Sequence, residues 1–256
     1  MKVVILAGGF GTRLSEESDI KPKPMVEIGE MPILWHIMKH YAYYGHNEFL
    51  LALGYKGNII KRFFMDYADL NSSLSINLRK GEVQKHQAAK EDWTIHLIET
   101  GIDTQTGGRV KRLENKIGSE SFMLTYGDGV SNVDLDKLVE FHKKMNLIGT
   151  VTAVRPPARF GGILFEGDAV KSFIEKPQIG EGWINGGFFV FEPEVFDYIQ
   201  GDQSVLETYT LENLVSRKQL AAYKHDHFWQ CMDTLRDKRL LEGLWNEGSA
   251  PWKVWS

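Results

Sequence analysis

The sequence contains one cysteine, Cys231, among 256 residues. An internal disulfide framework is therefore excluded, and a reducing compartment is the expectation. No run of 18 apolar residues occurs, so no membrane span is predicted. Nor is there an apolar leader ahead of the first predicted strand, which begins at Lys2. Basic excess is missing too: 30 Lys and Arg against 34 Asp and Glu leave a net charge of −4. That argues against a general nucleic-acid binder, while leaving room for a locally basic phosphate pocket. Several catalytic signatures are absent. There is no Gly-x-Ser-x-Gly nucleophile elbow. The eight histidines show no metal-ligand spacing; His36 and His40 stand four apart without the Glu of a zincin helix. Internal repeats, low-complexity tracts and linkers are also lacking. A cytoplasmic α/β enzyme of one domain, 1–256, is expected, with no nucleic-acid or membrane partner.

What is present is ordered. Residues 2–6, Lys-Val-Val-Ile-Leu, form a short β-branched run suited to a strand buried on both faces. Pro32 stands at a plausible first helical position, and Ile33, Leu34, Ile37, Met38 and Tyr41 mark a helical stripe ending near Gly45. A strand follows over 49–53 and a helix across Ile59–Tyr67. This alternation predicts a Rossmann-like, doubly wound, mostly parallel mixed sheet with helices on both faces. Half-buried strands are expected at 74–78 and 94–98, and a basic helix over 109–117. A buried strand at 122–126 ends in Gly127-Asp128-Gly129, followed by a helix over 135–145 and a strand over 150–154. A hairpin flanks Gly167-Asp168 within a hairpin-rich insertion around 155–192. A strand at 184–191 is broken by Gly186-Gly187. Helices are predicted at 193–199 and 211–217. Thr234 and Asp237 form a capping-box pattern that opens a last helix through Trp245. The nucleotide-binding part spans about 1–150 and the sugar-binding part about 151–256.

Chemistry concentrates in the glycine cluster after the first strand, Gly8-Gly9-Phe10-Gly11-Thr12-Arg13. Glycines let successive backbone N–H groups approach an anion closely. The loop is not a Walker A motif, having no Gly-Lys-Ser/Thr close, and it misses the third glycine of the dinucleotide fingerprint at Leu14. A tight structural turn is the plain alternative. Lys21-Pro22-Lys23-Pro24-Met25 follows; prolines on both sides of Lys23 favour a stiff, extended presentation of the lysines. A solvated surface loop is the alternative there. Asp128 sits at the carboxyl end of a central strand, where open α/β sheets bind ligands.

Taken together, Leu6-Ala7-Gly8-Gly9-Phe10-Gly11-Thr12-Arg13-Leu14 and Lys21-Pro22-Lys23-Pro24-Met25-Val26 resemble the signature of the sugar-nucleotide pyrophosphorylases. These nucleotidyltransferases join a nucleoside triphosphate to a sugar 1-phosphate. Tyr126-Gly127-Asp128-Gly129, Glu175-Lys176-Pro177, Asn185-Gly186-Gly187 and Asp233 match further positions of that family. The likeness runs the length of the chain and is nearest to the cytidylyl branch, which makes CDP-glucose and pyrophosphate from CTP and α-D-glucose 1-phosphate. Segment 79–92 is its least familiar part, and no chemistry is assigned there.

The resemblance implies a nucleotide site at Leu6, Ala7, Gly8, Gly9, Phe10, Gly11, Thr12, Arg13, Lys23 and Gly127, with Thr104 and Arg109 as further contacts. It implies Mg²⁺ on Asp128 and Asp233, and a sugar-phosphate site at Glu175, Lys176, Asn185 and Gly186. Arg13, Lys23, Asp128 and Asp233 carry the catalytic roles. A homo-oligomer, trimer or hexamer, is implied as well. Arg109 could equally be a solvated helix residue. Three alternatives stay open: a pyrophosphorylase using dTTP, UTP or GTP or another sugar, a catalytically silent sugar-nucleotide-binding subunit, and a nicotinamide dehydrogenase.

Overall fold

A computed structural model describes residues 1–11, 21–86, 90–156, 162–166, 169–174 and 182–255. Its centre is a seven-stranded sheet: β1 (Val3–Leu6), β2 (Glu48–Leu53), β3 (Thr94–Glu99), β4 (Phe122–Tyr126), β5 (Gly149–Val154), β6 (Ile184–Phe191) and β7 (Leu220–His225). The order across the sheet is β7-β5-β6-β4-β1-β2-β3. All neighbours run parallel except β6, which is antiparallel to both β4 and β5. The mixed, mostly parallel sheet is thus the predicted one.

β1 shows how the sequence achieves this. All four residues are buried, and they alternate between two cores. Val3 and Ile5 join the layer built by α1 (Ile33–Tyr43), α2 (Gly57–Leu70), α5 (Leu135–Met145) and α7 (Leu235–Asn246). Val4 and Leu6 join the opposite layer, built by α3 (Thr106–Lys111), α4 (Glu114–Ile117) and α6 (Glu212–Ser216) with the turns before α6. A period of two in a strand places successive side chains on opposite faces, so a continuously apolar run needs cover on both.

Several expectations need correction. The basic helix over 109–117 starts earlier, at Thr106, and breaks into α3 and α4. Pro32 caps α1 from outside, with extended ψ of 148°. β6 is continuous through Gly186-Gly187, although its register against β5 shifts there. The strand near 74 pairs with Glu82–Lys85 in a hairpin that is exposed at every position but Leu74, rather than half-buried. Lys23–Met25 is a buried 3₁₀ turn between extended Pro22 and Val26. Before α6, Leu206–Leu211 forms a π-helical turn that the sequence reading left out. The hairpin strands Gly162–Glu166 and Ala169–Ile174 lie where predicted.

Candidate active site

The carboxyl ends of β1 and β4 and the loop after β3 surround a cavity of about 620 Å³, where Leu6 to Gly11, Lys23, Ile102 to Thr106, Arg109, Gly127, Asp128 and Asp233 form the walls. A second cavity of about 250 Å³ adjoins it, lined by Asn185, Gly186, Trp229 and Cys231 among others. Tyr126, Asp128 and Asp233 border both. The two chambers therefore meet at a pair of carboxylates.

Local structure holds that pair in place. Gly129–Ser131 pairs antiparallel with Trp229–Cys231, and the Met232 N–H donates to the Asp128 carbonyl at 2.8 Å. This short ladder brings together two segments about a hundred residues apart. At the mouth of α7 the Asp237 carboxylate accepts from the N–H groups of Asp233 (3.1 Å) and Thr234 (2.9 Å), closing the predicted capping box. The backbone of Asp233 is thereby fixed.

Lys23 lies between the two carboxylates. Its Nζ donates to Asp128 Oδ2 at 2.6 Å and to Asp233 Oδ1 at 2.5 Å. Burial pulls the ammonium pKa down, but attraction to Asp128 and hydrogen bonds to both carboxylates outweigh it, and the net shift is upward. Lys23 is therefore charged at any physiological pH. Cys231 Sγ is 3.5 Å from Asp233 Oδ2; burial, then the Asp233 and Asp128 charges, push its pKa up to about 12, so it is no nucleophile here.

Arg109 is not a solvated helix residue. It is 4% exposed. Its Nη1 donates to the carbonyls of Leu53 (3.1 Å) and Gly101 (2.7 Å) and to Thr100 Oγ1 (2.8 Å). Its Nη2 donates to the carbonyls of Gly8 (3.0 Å) and Ile102 (3.1 Å). One planar fork thus ties the end of β2 to the loops after β1 and β3. A Cβ at Gly8 would collide with this guanidinium and with the Gly54 backbone, which is why the loop needs glycine there. Thr104 is buried in the same wall.

In the smaller cavity, Asn185 Oδ1 accepts from the Gly187 N–H at 2.8 Å and Nδ2 donates to the Tyr126 hydroxyl at 3.2 Å. Gly187 has φ of +78°, and a side chain there would strike the Tyr126 ring. Trp229 Nε1 donates to the Gly186 carbonyl at 2.7 Å.

Of the residues expected at the site, Leu6, Ala7, Gly8, Gly9, Phe10, Gly11, Lys23, Thr104, Arg109, Gly127, Asp128 and Asp233 line the larger cavity. Asn185 and Gly186 line the smaller one. Thr12, Arg13, Glu175 and Lys176 lie outside the described residues. Ile102, Asp103, Gln105, Thr106 and Gln203 also line the larger cavity, as does Tyr126, quoted above only as part of its motif and given no role. Tyr126 carried a signal, since it directly precedes Gly127-Asp128.

Comparison with known proteins decides the family. Residues 2–237 match the family model described as nucleotidyl transferase. The chain belongs to the nucleotidyl transferase family. This nucleotidyltransferase is 47% identical to the glucose-1-phosphate cytidylyltransferase of Salmonella typhi, across 100% of both chains. It is 46% identical to a probable glucose-1-phosphate cytidylyltransferase of Bacillus subtilis (strain 168), again over 100% of both. Among solved structures, HddC from Yersinia pseudotuberculosis superimposes with a TM-score of 0.69 at 24% identity, covering 95% of the nucleotidyltransferase and 99% of HddC. That likeness extends to the fold.

Proposed function

We propose that the nucleotidyltransferase joins CTP to α-D-glucose 1-phosphate, forming CDP-glucose and pyrophosphate. The observation that supports this most is the meeting of two cavities at Lys23, Asp128 and Asp233. The full-length relatives at 46–47% identity, named as glucose-1-phosphate cytidylyltransferases, supply the choice of base and sugar.

In this reading the triphosphate occupies the larger cavity and the hexose the smaller. A phosphate oxygen of the sugar attacks the α-phosphorus. The new P–O bond forms as the bond to the pyrophosphate oxygen breaks, and that oxygen leaves with the electron pair. The attacking oxygen is already anionic at neutral pH, so no protein nucleophile is required; catalysis rests on positioning and on charge stabilisation. Lys23 places a buried positive charge beside the reacting phosphates. Arg13 and Thr12 extend the glycine loop around the triphosphate, Lys176 holds the sugar phosphate, and Glu175 and Asn185 hold hexose hydroxyls. Polar groups of Asp103, Thr104, Gln105 and Gln203 face the base, where a mismatched ring edge would leave buried polar atoms unpaired.

The donor set suits Mg²⁺. Two carboxylates already share one cationic group, and both offer hard oxygen ligands. No third His, Cys, Asp or Glu joins them among the described residues. Asp128 and Asp233 would hold the ion, and substrate phosphates and water would complete its shell, as is common for Mg²⁺. When bound, Mg²⁺ neutralises phosphate charge and templates the two substrates.

In this reading the enzyme acts in the cytoplasm as a homo-oligomer, a trimer or hexamer. No helix among the described residues is long and apolar enough to cross a membrane. The exposed, cross-paired Ile76 and Val83 support self-association. Pyrophosphate release with glucose 1-phosphate and each of CTP, UTP, dTTP, ATP and GTP tests the reading. CTP should give the highest kcat/KM; equal or better turnover with dTTP moves the enzyme to another branch, and no release with any nucleotide favours a silent subunit.

A further inference from the structure

Glu207 belongs to neither cavity, yet it stands between them. It lies on the π-helical turn Leu206–Leu211. Such turns are rare and recur at functional sites. One of its carboxylate oxygens accepts from the Tyr126 hydroxyl. The other accepts from Thr106 Oγ1 at 2.9 Å. Thr106 opens α3 on the wall of the larger cavity, and its Oγ1 in turn accepts from the Leu206 N–H at 2.9 Å. No cation pairs with Glu207 among the described residues. Among the described residues, two hydroxyl groups donate to it.

The polarity of this chain has one solution. A carboxylate only accepts, so the Tyr126 hydroxyl must donate to Glu207. The Tyr126 oxygen is left as an acceptor and faces Asn185 Nδ2 at 3.2 Å. The Asn185 amide is thereby fixed with its carbonyl toward the Gly187 N–H. One N–H of Asn185 and one lone pair of its oxygen remain for a ligand in the smaller cavity.

We propose that Glu207 is a positioning residue that orients Asn185 through Tyr126 and ties that orientation to the Thr106 end of α3, coupling the sugar and nucleotide cavities. The proposal rests on the reading of Asn185 as a hexose contact. Nucleotide contact at the start of α3 then bears on Thr106, Glu207, Tyr126 and Asn185 in sequence, and favours glucose 1-phosphate binding.

The test is steady-state kinetics of Tyr126→Phe, Glu207→Ala, Glu207→Gln and the Tyr126→Phe/Glu207→Ala double variant, with Asn185→Ala as reference and both substrates varied. Tyr126→Phe and Glu207→Ala should each raise the glucose 1-phosphate KM about three- to tenfold, the range for one lost hydrogen bond, with smaller changes in kcat and in the CTP KM. The double variant should be no worse than the worse single one, because both cut the same chain. Glu207→Gln keeps an oxygen for Tyr126 and should restore most of the loss. If Asn185→Ala raises the glucose 1-phosphate KM while Tyr126→Phe leaves it unchanged, the coupling is wrong and the sugar reading stands. If Asn185→Ala leaves that KM unchanged, the sugar reading falls and takes the proposal with it. Additive effects, or equal rises in both KM values, mark Glu207 as merely structural and overturn the proposal.

Discussion

Replacing Lys23 by Met probes the centre of the site, because Met nearly matches the length of Lys while deleting its charge. Lys23 Nζ is 2.6 Å from Asp128 Oδ2 and 2.5 Å from Asp233 Oδ1, so those oxygens lie within about 5 Å of each other. Two like charges at that separation repel by about 3 kcal/mol at an effective dielectric of 20, and by under about 1 kcal/mol in bulk water. The Asp128 and Asp233 side chains are 31% and 22% exposed, which places the cost between these limits. We expect Lys23→Met to lose about 2 kcal/mol of stability near neutral pH, or about 4–8 °C in Tm for a chain of this size. With the ammonium gone, the two carboxylates should also take up a divalent cation more readily. For a dissociation constant near 1 mM, about 10 mM Mg²⁺ would return about 1.4 kcal/mol.

The assay is thermal unfolding of parent and variant, with EDTA and with Mg²⁺, in the absence of nucleotide. The parent should respond weakly, because the ammonium already holds both carboxylates. Lys23→Met should melt lower in EDTA and recover most of the difference in Mg²⁺. A Lys23→Met/Asp233→Asn double variant removes one of the two charges, so both the penalty and the Mg²⁺ response should shrink. Catalysis should not recover with the metal: kcat should fall about 10²–10³-fold, as for loss of one transition-state donor. If Lys23→Met melts with the parent in EDTA and gains nothing from Mg²⁺, the bridging geometry contributes nothing and the reasoning fails.

The legible parts of the fold were those where local pattern and tertiary environment agree. β1 reads as buried on both faces because every residue is apolar, and the two cores confirm that need. The capping box at Thr234 and Asp237 is a local arrangement and was read correctly. Arg109 shows the limit. Five acceptors from two loops and a strand end meet its guanidinium, and no local pattern encodes a convergence set by the parallel sheet. The bridging of Asp128 and Asp233 by Lys23 was hidden for the same reason. The resemblance named all three residues, but a lysine expected to face phosphates is held by the carboxylates expected to hold the metal. The π turn at Leu206–Leu211 escaped because its spacing fits neither a 3.6-residue nor a two-residue period. The strand expected over 74–78 misleads differently: alternation normally signals one buried face, and here every position of the strand but Leu74 is exposed within the chain.

Three further predictions follow from the same geometry. An isolated two-stranded hairpin is marginal in water, so the exposed Ile76–Val83 pair should be covered by a second copy; light scattering after size exclusion should show an oligomer, and Ile76→Glu/Val83→Glu should give monomers, whereas a monomeric parent sinks the idea. Burial holds the pKa of His36 and of His40 down to about 4, against about 6.5 unfolded. The unfolded chain therefore takes up protons first as pH falls, and the stability these neutral rings hold above pH 6.5 is lost toward pH 4, by up to about 3 kcal/mol each; urea unfolding that is flat over this window refutes it. The last prediction concerns Arg109→Lys. An ammonium has three donors and no planar fork, so it cannot serve five acceptors from the end of β2 and the loops after β1 and β3. At least two lose their bond to the charge, although the Leu53 and Gly8 carbonyls keep the Thr100 and Tyr55 N–H groups as donors; hydrogen bonds to a charged group are worth about 1.5–3 kcal/mol each. With partial relaxation we expect a loss of about 3 kcal/mol in urea unfolding, together with a raised CTP KM as the cavity wall loosens. A guanidinium whose work is to contact nucleotide directly would behave differently: Arg109→Lys would raise the CTP KM and leave unfolding unchanged, and that result would replace the wall-tying role with a binding one.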